Sequence, residues 1–185
     1  MDYFSQVVNA ANSGKPIPTE PKWNKWIHRN LSENHCEVCL KLHECWFAKD
    51  KTPQWPHHPL CHCILEDIPY VDVLYKCTSD SAYSKFDVYL FNTEGRYNDN
   101  KKVMFESWGY TVGDIPYLKR EIEKQGLEKY INGDYILHTL DEHGQHINIR
   151  IEIPRKDGSG TVSFTTGWMA RPNGHIQLAT PYGDK

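Results

Sequence analysis

The spacing of cysteine and histidine in one short stretch limits what the N-terminal third of this chain can become. Cys36-Glu-Val-Cys39 is followed, after a loop, by His58-Pro-Leu-Cys61-His-Cys63. A ligand pair in a tight turn chelates one side of an ion, and the loop brings a second pair round to complete a tetrahedron. Thiolate and imidazole suit zinc, which has no redox chemistry of its own. The alternative is two disulfides, or cysteines that simply pack. Cys61 and Cys63 are too close in sequence to bridge easily, which favours metal. Spacing leaves open which four of Cys36, Cys39, His58, Cys61 and Cys63 hold the ion, with His58 and Cys61 competing for the fourth place. A closed, thiolate-rich set reads as structural rather than catalytic zinc.

Composition narrows the rest. Charged residues make up 24% and hydrophobic ones 39%, the balance of an ordinary globular chain rather than a disordered one. No apolar run approaches the length that spans a bilayer, so no membrane partner is expected. The start, Met1-Asp2-Tyr3-Phe4-Ser5, has neither the basic opening nor the apolar core of a signal peptide. Six cysteines without such a signal point to a reducing compartment such as the cytoplasm. Cys45 and Cys77 are left over and read as buried or free thiols. The net charge of -3 gives no global attraction to nucleic acid, so any such binding needs a local patch.

The pattern along the chain predicts an α+β protein in four parts. Residues 1–22 form a proline-punctuated leader expected not to pack firmly. Residues 23–68 form the Cys/His module, with Trp23, Trp26, Trp46 and Trp55 as a mini-core and Pro53, Pro56 and Pro59 favouring loops. Residues 69–84 read as a connector. Residues 85–185 form two helices packed on a four-stranded antiparallel sheet. Within that part, Phe86–Phe91 reads as a strand, and Asn98 or Asp99 caps a helix through Trp108. Asp114 caps a second helix, with Pro116 in its first turn and Gly126 at its end. Ile147, Ile149, Ile151 and Ile153 alternate with His146, Asn148, Arg150 and Glu152, the clearest strand in the chain. Two further strands follow near Thr161–Trp168 and His175–Thr180, separated by Gly-rich turns.

Two stretches resemble known families. Cys36-x2-Cys39 with His58-Pro-x-Cys61-x-Cys63 resembles the Cys/His tail of the phage Mu F-like minor head, or head-morphogenesis, proteins. In that family arginine is usual where His62 stands here. The upstream helical body of such proteins is absent, which the resemblance reads as a fragment or stand-alone derivative of the tail. Lys101 to Tyr110, Thr166-Gly-Trp-Met169 and Thr180-Pro-Tyr-Gly183 resemble small toxin-like domains grouped with barnase, EndoU, colicin and RelE type ribonucleases. The resemblance implies a phage-derived ribonuclease-type toxin on a zinc module, with RNA as substrate, phage head or portal proteins as neighbours, and an immunity protein as inhibitor. A non-catalytic head-associated adaptor is the alternative.

Metal-free RNA cleavage needs a base for the 2′-hydroxyl, an acid for the leaving oxygen and cations for the phosphate. The polar face of the isoleucine strand offers His146, Asn148 and Arg150, with Ser163 or Thr165 and His175 on neighbouring strands. The bland reading is a solvated sheet face. The role of His138 turns on register. A two-residue turn at His143-Gly144 pairs it with Ile149 and buries it. A three-residue loop, Glu142-His-Gly with Gly144 left-handed, sets it opposite Asn148, beside Arg150, and gives the more uniform apolar face. His138, Arg150, His146 and Thr165 are therefore the expected catalytic set. Lys101 and Lys102 are expected phosphate contacts, or else a solvated helix start. Trp168 either stacks a base or belongs to the core.

Overall fold

The isoleucine run forms an inner strand of the larger sheet. The computed structural model describes residues 3–29, 36–91 and 99–181. In chain order its elements are α1 (Tyr3–Ser13), β1 (Trp23–His28), α2 (Glu37–Leu42), β2 (Trp46–Ala48) and β3 (Cys63–Ile68). There follow α3 (Tyr70–Lys76), β4 (Thr78–Asp80), α4 (Asp99–Ser107), α5 (Ile115–Ile131), β5 (Ile136–Asp141), β6 (Gly144–Pro154), β7 (Thr161–Arg171) and β8 (His175–Pro181). The fold is α+β. One sheet runs β2-β1-β3 and the other β4-β8-β7-β6-β5. All pairings are antiparallel except β4 on β8.

Register explains the core. On β6 and β7, Ile147 faces Trp168, Ile149 faces Thr166, Ile151 faces Phe164 and Ile153 faces Val162. All eight are buried, because alternate residues of a strand share a face. Ile115, Leu118 and Ile122 of α5 join the same cluster. Gly126 does not end α5, as expected, but lies inside it. A Cβ there would stand 2.4 Å from Trp168 Cζ2, so glycine is what lets the helix close on the indole. Where β5 stops, the Gln125 amide takes over the sheet edge: Oε1 accepts from the Glu152 amide at 3.0 Å, and Nε2 donates to the Glu152 carbonyl at 2.7 Å.

Several expectations change. The leader carries a helix, α1, in which Ala10 is buried. The connector contributes α3 and a fifth strand, β4, and Tyr70, Val73 and Cys77 enter the main core. Residues 83–91 form a 3-10 turn and further turns rather than a strand. Phe86, Leu90 and Phe91 are buried there at near-helical spacing, so the apolar run follows a turn period and not a strand period. The Asn98 cap and residues Tyr182 and Gly183 lie outside the described residues.

The four tryptophans do not form one mini-core. Trp23 and Trp26 are an odd number of positions apart on β1 and face opposite ways. Trp26 joins Cys39, Leu42, Cys45, Phe47 and Cys63 in a second cluster. Trp23, Trp46 and Ala48 belong to the main core, where Trp23 meets Tyr130 edge-on at 5.1 Å between ring centroids. Tyr130 Oη donates to the Trp46 carbonyl at 2.6 Å, and the Ala48 amide donates to Tyr135 Oη at 2.9 Å. Trp55 is half-exposed and donates to the Cys63 carbonyl at 3.1 Å. The Cys/His module is therefore packed into the C-terminal unit rather than separate from it.

Candidate metal centre and basic cleft

Cys36 precedes α2 and Cys39 lies one turn inside it, a spacing that puts both on one side of the helix. The proline-rich loop returns His58 and Cys61, with the Cys61 amide donating to the His58 carbonyl at 3.1 Å, and Cys63 opens β3. The donor atoms of Cys36, Cys39 and His58 lie within 4.8 Å of one another, as do those of Cys39, Cys61 and Cys63. These groups could hold a metal ion, and Cys39 is common to both.

The distances test the fit. Cys39 Sγ is 3.8 Å from Cys61 Sγ and 3.6 Å from His58 Nε2. A tetrahedron with zinc–sulfur bonds of about 2.3 Å and zinc–nitrogen bonds of about 2.0 Å has S···S edges of about 3.8 Å and S···N edges of about 3.5 Å. A disulfide needs about 2.05 Å, and none of the six cysteines is bridged. Burial pushes the Cys39 thiol well above its ordinary range, and the adjacent Cys63 and Cys61 add to it. At Cys61 burial is outweighed by hydrogen bonds from the Cys63 and His57 backbone and from neighbouring thiols, so it is lowered. A cation that binds here takes the thiolates as ligands and displaces their protons. Cys45 and Cys77, read from sequence as spare thiols, are buried elsewhere, and burial raises each to about 12.

The polar face of the large sheet carries most of the other expected residues. Arg150 lies opposite Thr165 and its Nε donates to Ser163 Oγ at 2.5 Å, so strand register does bring this trio together. His146 lies opposite Met169, four positions along the strand from Arg150. His138 follows neither expected register. Ile136 pairs with Asn148 and Leu137 with Ile147, while Asp141 pairs with Gly144 across Glu142-His143. The slip between them is a β-bulge that leaves His138 exposed, with Nδ1 3.0 Å from Thr139 Oγ1. His138 is thus not beside Arg150. Trp168 is fully buried and donates to Thr166 Oγ1 at 2.8 Å, so it is core and not a stacking platform. Lys102 pairs with Glu106 along α4 at 3.7 Å, as a solvated helix face does. Lys101 instead donates to Tyr89 Oη, with its ammonium 4.2 Å from the ring centroid. His175 is tied to β4, with Nδ1 2.9 Å from Thr78 Oγ1 and Nε2 3.5 Å from Asp80.

A concavity lies at the other end of that face. A cleft of about 530 Å³ is lined by Lys41, Lys85, His143, His146, Arg171 and Gln177, among others. Among the described residues its lining carries five basic side chains and no carboxylate. His146 Nε2 is buried and lies 3.0 Å from Asp141 Oδ2, in a bent approach. The His143 amide, followed by the charges of His146 and His143, holds Asp141 below the ordinary carboxylate range. Arg171 is placed by two acceptors, the His143 carbonyl at 3.1 Å and Gln177 Oε1 at 3.2 Å. Sequence reasoning missed Lys41, Lys85 and Arg171, which stand far apart in the chain and follow no motif. Lys41 comes from α2, so the helix that carries Cys39 also walls the cleft.

A family model for a domain of unknown function, DUF6883, matches residues 80–185. The chain belongs to that family. No curated protein and no solved structure matches it. The DUF6883 match holds α4, α5, β5 to β8 and the cleft residues Lys85, His143, His146 and Arg171. The five Cys/His residues and Lys41 lie upstream of it. Among the described residues no helix is long and apolar enough to cross a membrane.

Proposed function

We propose that this DUF6883 protein cleaves RNA in the basic cleft, which a structural zinc module helps to wall. The reading is carried by the cleft lining: four basic side chains, Lys41, Lys85, His143 and Arg171, around His146, itself held against Asp141. Asp141 orients the imidazole and steadies its protonated form. His146 takes the proton of the 2′-hydroxyl, and the 2′-oxygen attacks phosphorus. The bond to the 5′-oxygen breaks, leaving a 2′,3′-cyclic phosphate and a 5′-hydroxyl that takes its proton from solvent water, and His146 returns the proton it accepted to solvent. Arg171, Lys85 and Lys41 offset the charge that grows on the phosphate oxygens. Zinc is the metal that the thiolate and imidazole donors and their edge distances favour. When bound it supplies cross-linking, and proton transfer falls to His146.

The phage origin, the link to head or portal proteins, and an immunity partner belong to the same proposal. Their support is the Cys36 to Cys63 spacing and the short C-terminal motifs. The test is incubation of total RNA and purified tRNA with the protein, with and without chelator. Discrete fragments are expected, with a loss of about 100-fold or more in His146→Ala, the usual weight of a general base. His138→Ala serves as the control and keeps wild-type cleavage. Cleavage that survives His146→Ala refutes the site. Intact RNA that is nevertheless bound, together with co-purifying capsid or portal protein, makes the chain an adaptor.

A further inference from the structure

Beside the cleft, past Lys85, lies a node that the proposed chemistry does not use. Tyr89 Oη accepts from Lys101 Nζ and from Thr180 Oγ1, the latter at 3.2 Å. Thr180 owes its position to a bulge in β8. Gly167 pairs with Thr180 and Trp168 with Leu178, which leaves Ala179 unpaired and redirects the chain beyond it. Ala179 and Lys85 both line the cleft, and the charge of Lys85 reaches the Tyr89 phenol. The node and the cleft are therefore neighbours along β8.

We propose that Lys101, Tyr89 and Thr180 form a second phosphate subsite, which takes the phosphodiester next to the one held at His146 and Arg171. The inference rests on the cleft reading, since it needs a strand whose first phosphate lies there. An ammonium has three donors, and Tyr89 takes one of them. Tyr89 acts as a positioning residue that fixes the lysine over the sheet. The row His146–Met169–Gln177 and the row Asn148–Gly167–Thr180 are two residues apart along β7. That separation is about 7 Å at the rise of an antiparallel strand, the order of one extended nucleotide step. The phenol agrees with a cationic node: burial raises it, but the hydrogen bonds from Lys101 and Thr180 and the charges of Lys101 and Lys85 outweigh this and lower it.

The test uses two fluorescein-labelled, uncleavable probes on the full chain with its metal. One is a thymidine dinucleotide, which carries a single phosphodiester; the other is a thymidine octanucleotide. In Lys101→Ala the octanucleotide is expected to bind several-fold more weakly, and its salt slope to fall by about 0.7, the share of one phosphate on a single strand. Dinucleotide affinity is expected to stay within twofold of wild type. Tyr89→Phe, which keeps the fold and loses the anchor, gives an intermediate loss on the octanucleotide alone. Arg171→Ala weakens both probes. If Lys101→Ala leaves the octanucleotide and its slope unchanged, or weakens both probes equally, the second subsite is refuted while the cleft stands. If Arg171→Ala changes neither probe, or neither probe binds, the cleft reading falls and this inference with it.

Discussion

Replacing Gly126 with alanine sets two effects of known sign against each other. In an exposed helix the change stabilises by about 1 kcal/mol, because alanine loses less backbone entropy. Here the new methyl would lie 2.4 Å from Trp168 Cζ2, 2.7 Å from Cη2 and 3.1 Å from Cε2. The indole cannot swing aside cheaply. It is fully buried and its Nε1 is bonded to Thr166 Oγ1, which in turn donates to the Ile149 carbonyl at 2.9 Å. Overpacking of this kind costs about 1–3 kcal/mol, and a broken indole hydrogen bond adds about 1 kcal/mol. The net expectation is a loss of about 1–3 kcal/mol. At about 2–4 °C per kcal/mol for a chain of this size, thermal unfolding followed by circular dichroism should drop by roughly 2–12 °C. In a Trp168→Phe background the ring is smaller, and most of the penalty of Gly126→Ala should vanish. A Gly126→Ala protein that melts higher than wild type refutes the packing argument.

Tyr130→Phe should destabilise by about 1–3 kcal/mol in urea unfolding, since the Trp46 carbonyl loses a buried donor; no change would mean that the module is not anchored there. Chelation should lower the melting temperature of the whole chain in one transition, because Trp23, Trp46 and Ala48 share the main core. Two separate transitions would show independent units. Asp114 is held below its usual range first by its hydrogen bond with Lys156 and then by the Thr111 amide. A carboxylate lowered on folding contributes stability above its unfolded value, which is lost as pH falls below about 4. Asp114→Asn should therefore melt lower at pH 7 and lose part of the acid-side decline; an unchanged pH profile counts against the pairing.

What could be read from the chain depended on range. The isoleucine alternation and the ligand spacing are local patterns with a physical period, and strand β6 and the Cys39-centred cluster both follow them. Gly126 looked like a helix end because glycine commonly is one. Its actual reason is an indole forty-two positions later, which no local window contains. Strand β4 is three polar residues, too short for any period, and forms because β8 offers it an edge. The His138 register failed for a related reason: both expected hairpins were regular, and the bulge between Leu137 and Leu140 is not. The cleft was invisible because Lys41, Lys85 and Arg171 meet only after three separate elements pack.

The DUF6883 match opens at residue 80, the last residue of β4. A protein trimmed to that boundary would keep Tyr130 and Tyr135 but lose Trp46 and Ala48, the backbone partners of their hydroxyls. It would also lose Trp23 from above the Tyr130 ring, and most of the strand that covers one edge of β8. For this chain the segment that the family match spans is smaller than the segment that shares one core.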